Sequence, residues 1–359
     1  MKVMTVLGTR PEIIRLARVI QALDPLCDHV VVHTGQNYDE LLNDIFFRDL
    51  DLRAPDVAMG IRSETFGDQV AQILAGTERL FREHRPDRVL ILGDTNSALA
   101  AFIARRMGIP VFHMEAGNRC FDERVPEEIN RRVIDQCSSV LMPYTERSRT
   151  NLLREGFATN VVHVTGNPIF EVLESQRAGI DASDVLDRLG LEPRGYFLVT
   201  THREENVDVE PRLRSIAQTL AAVNERYDLP VIWAVHPRTR RRLAQFGVAG
   251  SESAGVRIID PLGLNDFVRL ERDARCVLSD SGTVQEECCI LRVPNVTMRD
   301  VTERPETVDC GSNILAGVEP DNVLRAVKVA LEREPDWDPP REYLIPNVSS
   351  TAARIVLGF

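Results

Sequence analysis

The chain has 359 residues, of which 43% are apolar and 27% are charged, proportions that are ordinary for a globular protein. One hydrophobic core does not normally serve so long a chain, so we expect two domains. The formal net charge of −11 excludes general binding of nucleic acid, because there is no basic excess to neutralise phosphates.

The seven cysteines are scattered along the chain. None of them forms the Cys-x-x-Cys pair of a zinc or redox site, and their odd number argues against a disulfide framework. The first eight residues are typical of a strand rather than of the apolar centre of a signal peptide. No apolar segment approaches the length needed to cross a membrane. We therefore expect a cytoplasmic protein that binds neither a membrane nor a metal.

The first half of the sequence alternates short apolar segments with amphipathic helices, which is typical of a parallel sheet with right-handed crossovers. The segments predicted to be strands are residues 2–7, 29–33, 88–92, 111–114, 140–142 and 161–164. Helices are expected after Thr9, from about residue 64 to 83, and from Pro126 onward. The first helix has an apolar face made of Ile13, Leu16, Ala17 and Ile20.

Two of these strands end in residues suited to binding an anion or exchanging a proton. Gly8, Thr9 and Arg10 join the first strand to a helix, and such a junction presents free backbone N–H groups to an anion. An ordinary turn is the alternative. Asp94 stands at the carboxyl end of a strand, where open sheets bind ligands, although it could instead cap the next helix.

The segment from His113 to Arg132 is the most highly charged of these strand ends. Glu115 follows a strand directly, Asn118 and two arginines come next, and Glu127 lies in the first turn of the following helix. Carboxylates at a strand end and at a helix start, close to arginines, would form an acid/base site for an anionic ligand. A loop rich in surface salt bridges is the alternative interpretation.

The second half repeats the alternation. Gly166-Asn167-Pro168 interrupts the pattern, so we place the first domain at residues 1–167 and the second at 168–345. A short helix is expected at 181–189, and a closing helix at 346–359 is expected to pack on the first domain. Strands are predicted at 196–201, 230–235, 256–259 and 276–280. The predicted fold class is therefore α/β with two doubly wound, Rossmann-like domains.

Strands of the second half also end in polar residues. His202 follows one strand, and His236, which follows the next, could line a cleft between the domains. Ser281-Gly282-Thr283 opens a helix whose free backbone N–H groups suit a phosphate. Glu286 or Glu287, one turn further on, could accept hydrogen bonds from ribose hydroxyls. One domain thus carries groups for a diphosphate, and the other carries the carboxylates Asp94, Glu115 and Glu127, which predicts proton chemistry on the group attached to the phosphates.

Six motifs together resemble the non-hydrolysing UDP-N-acetylglucosamine 2-epimerases, and the similarity covers nearly the whole chain. They are Gly8-Thr9-Arg10-Pro11-Glu12, Gly93-Asp94-Thr95, His113-Met114-Glu115-Ala116-Gly117, the segments 126–131 and 280–287, and the segment 299–306. The resemblance implies a glycosyltransferase-B-like fold with the active site in the interdomain cleft, and usually a homodimer.

The family mechanism implied by the resemblance removes the C2 proton while UDP leaves by anti elimination. UDP then adds back to the enzyme-bound 2-acetamidoglucal as a proton returns to the opposite face of C2, without any cofactor. The acid/base candidates are Asp94, Glu115 and Glu127, and the sequence leaves their individual roles open. The binding candidates are His202, Arg10 and Arg304 for the diphosphate and its departure, Ser281 and Gly282 for phosphate, Glu287 for the ribose, and Arg131 near the sugar.

The chain departs from the family pattern at three places. Arg15 stands where the family usually has a lysine, so the charge is kept but the geometry differs. The loop from Glu115 to Pro126, which contains the segment from Asn118 to Val125, looks about two residues shorter than in the N-acetylglucosamine enzymes. The second strand is followed by Gln36-Asn37-Tyr38 instead of the Gln-His of relatives that are activated by their own substrate, so such activation is not implied.

At these positions the sequence resembles a sub-branch of the family. This sub-branch contains the UDP-2-acetamido-2,6-dideoxy-L-talose 2-epimerases of surface polysaccharide biosynthesis. The predicted substrate is therefore a UDP-N-acetylhexosamine, either of the gluco or of the 6-deoxy-L-talo series. Three alternatives remain at this stage: a hydrolysing 2-epimerase that releases free sugar and UDP, a glycosyltransferase of the same fold, and a non-catalytic nucleotide-sugar sensor.

Overall fold

The computed structural model describes residues 1–36, 46–63, 65–248 and 255–359. The chain forms two compact units, each built on a parallel six-stranded sheet. The first unit comprises Met1–Ser175 and Arg341–Phe359, and the second comprises Gln176–Pro340. The two Rossmann-like domains predicted from the sequence are confirmed.

Within its described residues, the first unit contains six strands: β1 (Lys2–Leu7), β2 (Asp28–His33), β3 (Val57–Ala58), β4 (Arg88–Leu92), β5 (Val111–Met114) and β6 (Val140–Met142). Its main helices are α1 (Arg10–Leu23), α2 (Phe66–His84), α3 (Ala100–Arg106), α4 (Pro126–Cys137), α5 (Glu146–Arg154) and the first half of α6 (Ile169–Ala182). The strand order is β3-β2-β1-β4-β5-β6, and every pair is parallel. This is the order of a doubly wound dinucleotide-binding sheet.

The second unit continues with helices α7 (Val185–Leu189), α8 (Glu204–Val207), α9 (Glu210–Tyr227), α10 (Pro237–Gln245), α11 (Leu264–Asp273), α12 (Gly282–Leu291), α13 (Pro305–Asp309) and α14 (Pro320–Ala330). Its strands are β7 (Phe197–Thr200), β8 (Val231–Ala234), β9 (Val256–Ile259), β10 (Cys276–Ser279), β11 (Asn295–Thr297) and β12 (Asn313–Leu315). They are ordered β9-β8-β7-β10-β11-β12, so the second sheet repeats the order of the first.

Hydrophobic packing covers both faces of each sheet, as the nearly continuous apolar strands require. In β7, Phe197 and Val199 belong to one buried cluster, whereas Leu198 and the preceding Tyr196 belong to another on the opposite face. In α1 the predicted apolar face is confirmed, since Ile13, Leu16, Ala17 and Ile20 are all at most 2% exposed. The last helix, α15 (Val348–Gly358), packs against α1 within the first unit.

The structure corrects the prediction of a strand at residues 161–164. A 3₁₀ helix at Thr159–Val161 occupies the start of this segment, and Val162 forms only an isolated bridge with Leu141. His163 and Thr165 donate backbone hydrogen bonds to the carbonyls of Leu141 and Pro143, but Pro143 has no N–H to donate in return, so the pairing does not extend beyond this bridge. Strands β3, β11 and β12 were not predicted, because each has three residues or fewer and two of them begin with asparagine.

The passage between the units also differs from the sequence expectation, which placed it after Asn167. Helix α6 begins at Ile169 and runs without a break to Ala182, while the division into compact units follows Ser175. The polar stretch was expected to hold one short helix at 181–189, and α7 occupies only Val185–Leu189 of it.

The turn after β5 depends on a glycine. Gly117 has φ of 78°, and a Cβ atom there would lie 2.3 Å from the carbonyl oxygen of Ser148 in α5. Gly108, in the loop after α3, has nearly the same φ of 77°, but no atom lies within 4 Å of its Cβ position. The two glycines therefore share a backbone conformation and differ in the space around them.

We expect Gly117→Ala to destabilise the protein more than Gly108→Ala. Both alanines incur the left-handed penalty of about 1–2 kcal/mol, but only the alanine at position 117 must also displace backbone, which adds about 1–3 kcal/mol. Thermal unfolding of the two variants beside the parent protein measures the difference. Equal shifts in the two melting temperatures would contradict the close approach at Gly117.

Candidate functional site

Four of the predicted site residues follow the strands at which the strand order of each sheet reverses. In the first unit these strands are β1 and β4, and in the second they are β7 and β10. Open α/β sheets bind ligands at this point, because the connections from the two neighbouring strands leave toward opposite faces of the sheet. Arg10 and Asp94 follow the first pair, and His202 and Ser281 follow the second.

Glu12 organises the junction between β1 and α1. Its buried carboxylate accepts hydrogen bonds from the backbone N–H groups of Gly8 and Thr9, at 3.0 and 2.8 Å, and from the hydroxyls of Thr9 and Thr95. Burial raises the pKa of Glu12 to about 7, against the lowering effect of these donors. Thr9 is the N-cap residue, as predicted, and the guanidinium of Arg10 lies 5.3 Å from the ring centre of Phe46.

Asp94 does not cap the helix that follows β4. That 3₁₀ helix, Asn96–Leu99, has Thr95 as its N-cap residue. The Asp94 carboxylate instead accepts hydrogen bonds from Arg131, with Nε at 2.8 Å. Arg131 is only 2% exposed and also donates to the buried Glu128 at 2.7 Å. The arginine predicted to lie near the sugar is thus held between two carboxylates.

Glu115 occupies a strained position directly after β5. Its φ of 66° is in the left-handed region, which is unfavourable for a residue with a side chain. The buried carboxylate pairs with Arg15 and accepts a hydrogen bond from the Asn118 amide at 3.2 Å. Asn118 in turn accepts a hydrogen bond from Ser148 at 2.8 Å. Three predicted site residues, Arg15, Glu115 and Asn118, are therefore brought into direct contact.

The Glu115 carboxylate also lies close to the turn that carries Asp94. A Cβ atom at Gly93, the neighbour of Asp94, would lie 3.7 Å from Oε2 of Glu115. Gly93 itself has φ of 72° and donates its backbone N–H to the Met114 carbonyl. The two carboxylate-bearing turns are consequently adjacent, as the parallel pairing of β4 with β5 requires.

Asp135 in α4 connects these turns, and the sequence analysis did not identify it. Its side chain is fully buried and contacts Nδ1 of His113 at 2.8 Å, the N–H of Gly117 at 3.2 Å and Arg119 at 2.7 Å. His113 also contacts the Gly93 carbonyl at 2.9 Å through Nε2. The only sequence signal for this role was position, since Asp135 follows Glu128 and Arg131 on the buried side of the same helix.

The loop from Asn118 to Val125 is anchored at its start and exposed at its centre. Buried Glu128 accepts the backbone N–H groups of Cys120 and Phe121, at 3.1 and 3.2 Å. Phe121 is 68% exposed, and the exposed Arg124 pairs with Asp122 at 2.6 Å. Glu127, in the first turn of α4, is half-buried.

In the second unit, Asp280 positions His202. The Asp280 carboxylate is fully buried and accepts hydrogen bonds from the backbone N–H groups of His202 and Arg203, each at 3.0 Å, and from Asn206 at 3.1 Å. Burial raises the pKa of Asp280, although these donors oppose the rise. The His202 ring is about one-third exposed and lies 3.4 Å from Asp280 through Nδ1. Asp280 was part of a recognised motif, but its positioning role was missed.

His236 lies close to His202, which brings together two residues predicted separately. The ring centres are 6.3 Å apart. His236 is the N-cap residue of α10, and its Nδ1 accepts the backbone N–H of Arg238 at 3.2 Å. His236 therefore has a structural role, as the cap of α10, besides the role in the site that was predicted for it.

The N-terminus of α12, which the sequence predicts to bind an anion, is packed closely against Glu303 and Arg304. Ser281 is its N-cap residue and makes no side-chain capping bond. A Cβ atom at Gly282 would lie 2.9 Å from the Glu303 carboxylate and 3.6 Å from the Arg304 guanidinium carbon, so only glycine fits without displacing them. Arg304 is buried and pairs with Glu286, so this glutamate has a structural partner within the second unit. Glu287 stays the predicted ribose ligand of the motif.

Two further features bear on the class of site. The described parts of the chain contain no group of three or more His, Cys, Asp or Glu side chains that could hold a metal ion. Among the same residues, no helix is both long and apolar enough to cross a membrane. The loop motif beginning at Gln36 lies outside the described residues from Asn37 onward.

A family model described as UDP-N-acetylglucosamine 2-epimerase matches residues 21–357. A UDP-N-acetylglucosamine 2-epimerase of Methanocaldococcus jannaschii is 41% identical over 354 residues, which cover 95% of each chain. The crystal structure of the enzyme from that organism, in complex with UDP-GlcNAc and UDP, matches with a TM-score of 0.95 over 99% of each chain at 40% identity.

Two more distant matches extend this comparison. A UDP-2,3-diacetamido-2,3-dideoxy-D-glucuronate 2-epimerase of Pseudomonas aeruginosa is 36% identical over 335 residues, 92% of each chain. The structure of WaaG, a glycosyltransferase involved in lipopolysaccharide biosynthesis, matches over 100% of both chains with a TM-score of 0.62. At 13% identity this last likeness concerns the fold alone.

We expect Glu12 to make stability depend on pH. In the unfolded chain Glu12 loses its proton near pH 4.5, but the folded protein retains it to about pH 7. Stability is therefore greatest below pH 4.5 and falls as the pH rises to about 7, by up to about 3 kcal/mol. Urea unfolding of the parent protein and Glu12→Gln at several pH values between 4.5 and 8 measures this effect. A stability difference that stays constant over that range would contradict it.

Proposed function

The chain belongs to the UDP-N-acetylglucosamine 2-epimerase family, and we propose that it inverts C2 of a UDP-2-acetamido sugar by eliminating UDP and adding it back. The observation that carries this proposal is the placement of Glu115. Its carboxylate is buried against Arg15 and Asn118 and lies next to the turn that carries Asp94. Carboxylates on adjacent turns and in different surroundings suit the removal and return of a proton at one carbon.

The surroundings of the two carboxylates differ in a way that suits different tasks. Glu115 is only 7% exposed, and a strained backbone aims its side chain. Asp94 is about one-fifth exposed and is fixed by Arg131. Glu127 is half-buried at a helix N-terminus, where the helix dipole favours a carboxylate. We propose that these three groups form the acid/base set.

The second unit supplies groups suited to a diphosphate. The first turn of α12, from Gly282 onward, offers backbone N–H groups, and Ser281 offers its hydroxyl, since its own N–H donates to Ser279 at 2.9 Å. Arg304 and His202 add positive charge or hydrogen-bond donors. Arg10, in the first turn of α1, would assist in the same way. Negative charge accumulates on the β-phosphate as the C1–O bond breaks, so these donors would lower the barrier to departure of UDP.

We propose that the loop from Asn118 to Val125 contacts the part of the sugar ring beyond C2 and so selects the substrate. The backbone of this loop is tied to Glu128, whereas Phe121 and Arg124 are exposed at its centre. The M. jannaschii and P. aeruginosa relatives carry the names of enzymes for two different 2-acetamido sugars. A third candidate substrate is UDP-2-acetamido-2,6-dideoxy-L-talose, because the departures of this sequence from the family pattern resemble the 2-epimerases that act on this sugar.

We also propose a cytoplasmic homodimer. The exposed apolar side chains Phe102 of α3 and Ile129 and Val133 of α4, each 40–57% exposed, would be covered by a second copy. Helices α3 and α4 pack against each other in the first unit, so these side chains belong to neighbouring elements. All seven cysteines are free thiols, which suits a reducing compartment.

Incubation in deuterated water tests the reaction and the substrate together. We expect one of the three UDP-2-acetamido sugars named above to gain deuterium at C2 while UDP stays attached, because the proton removed exchanges with solvent before one is returned. The measurement is NMR and mass spectrometry of the recovered nucleotide sugar, without any acceptor present. Stoichiometric release of free UDP and sugar would contradict the proposal and indicate a hydrolysing enzyme.

Substitution of the carboxylates tests their assigned roles. We expect Glu115→Gln and Asp94→Asn each to lower kcat by roughly 100-fold or more, the range of a lost general acid or base, while UDP still binds. Steady-state kinetics and calorimetric titration with UDP give the two quantities. Glu78→Gln, at an exposed ion pair in α2, is the control and should leave both unchanged. Full activity in either site variant would remove that residue from the acid/base set.

A further inference from the structure

Glu271 is a buried acid for which the proposed reaction has no direct use. It lies in α11 with 0% exposure, next to Leu270 of an apolar cluster that also includes Cys288. Neither of its carboxyl oxygens receives a hydrogen bond from an N–H or O–H group of the described chain. A carboxylate in such a place would be costly, because it lacks both water and a compensating donor.

The group that faces Glu271 is another acid. Helices α11 and α12 pack against each other. Glu287 in α12, itself only 3% exposed, is the side chain that acts on the Glu271 carboxyl, through its charge and a hydrogen bond. Two adjacent carboxyl groups in a buried site do not both ionise, because each charge raises the cost of the other. Burial, and then the neighbouring Glu287, raise the pKa of Glu271 well above its ordinary value. One proton held between the two carboxyl groups would relieve this repulsion.

The deeper residue is the one that keeps this proton. Glu271 has no exposure and no donor around it, whereas Glu287 is in the second turn of α12, the helix that opens at Ser281. Cys288 and Tyr196 are titratable groups close to Glu271, and neither would supply a positive charge. A protonated Glu271 has one O–H group to donate, and Glu287 is the acceptor against it.

We propose that Glu271 is a positioning residue, whose protonated carboxyl donates a hydrogen bond to Glu287 and so orients that carboxylate to accept the ribose hydroxyls of UDP. This inference rests on the proposed function, because it assumes that Glu287 binds the ribose. A donor fixed on one oxygen of Glu287 prevents the carboxyl from rotating and keeps it in its acceptor form. The ribose hydroxyls can then donate to the remaining lone pairs.

The test compares binding of UDP with binding of 2′,3′-dideoxy-UDP, which lacks both ribose hydroxyls. Calorimetric titration gives the two dissociation constants and their ratio for each variant. Glu271→Gln retains an N–H donor toward Glu287, so we expect it to keep the ratio of the parent protein. Glu271→Leu removes the donor, so we expect UDP affinity to fall about tenfold or more, as for a lost charge-assisted hydrogen bond, with dideoxy-UDP affinity unchanged.

Cys288→Ala is the matched control, because it removes buried volume beside the pair without touching either carboxyl. It should leave the ratio as it is. If Glu271→Leu does not fold, Glu271→Asp replaces it, since the shorter side chain withdraws the donor while the carboxyl group remains, and the same loss is expected. Two results would overturn the proposal. One is a ratio of the UDP and dideoxy-UDP dissociation constants in Glu271→Leu or Glu271→Asp that equals that of the parent protein. The other is a loss of the preference for UDP in Glu271→Gln.

Glu287→Gln separates failure of this inference from failure of the proposed function. If Glu287→Gln also keeps the parent ratio, Glu287 does not bind the ribose and the assignment on which the inference rests is wrong. If Glu287→Gln loses the preference for UDP over dideoxy-UDP and Glu271→Leu keeps it, Glu287 does bind the ribose and only the role of Glu271 is refuted.

Discussion

Each unit depends on one fully buried aspartate that must be supplied with hydrogen-bond donors. Asp135 holds His113, Gly117 and Arg119 in the first unit, and Asp280 holds the backbone at His202 and Arg203 in the second. A buried carboxylate without donors would cost several kcal/mol, roughly the size of a domain's whole margin of stability. The loops that carry the site residues are therefore fixed by the same bonds that keep each unit folded.

This constraint explains why the side chains at the strand ends are preorganised. Glu115 keeps an unfavourable left-handed backbone conformation because the chain is fixed on both sides of it. Before Glu115, β5 is paired with its neighbouring strand, and after it, the N–H of Gly117 is bonded to Asp135. Arg131 is likewise held between Asp94 and Glu128. Groups that are already oriented need no rearrangement when charge develops during the reaction, which is the main source of electrostatic catalysis.

Much of the fold and part of the site could be read from the sequence. Strands β1, β5, β6 and β9 were predicted with the observed bounds, because each is an apolar run between turn residues. The strands β11 and β12 that were missed are short and contain asparagine, so hydrophobic periodicity carries no signal for them. The strand predicted at 161–164 was wrong because its valines form an apolar run, whereas the segment beside it ends in Pro143, which has no N–H with which to continue the pairing.

The sequence by itself determined the alternation of strands and helices, the polar residues at the strand ends and the resemblance to a family, because all of these depend on residues that are close together along the chain. Only the tertiary structure decided what each charged side chain contacts. The partners are distant in sequence: Arg15 and Glu115 are 100 residues apart, and Arg131 and Asp94 are 37 apart. Asp135, Asp280 and Glu271 acquire their roles only through burial, and a single sequence cannot show burial of an acid because apolar periodicity predicts apolar cores.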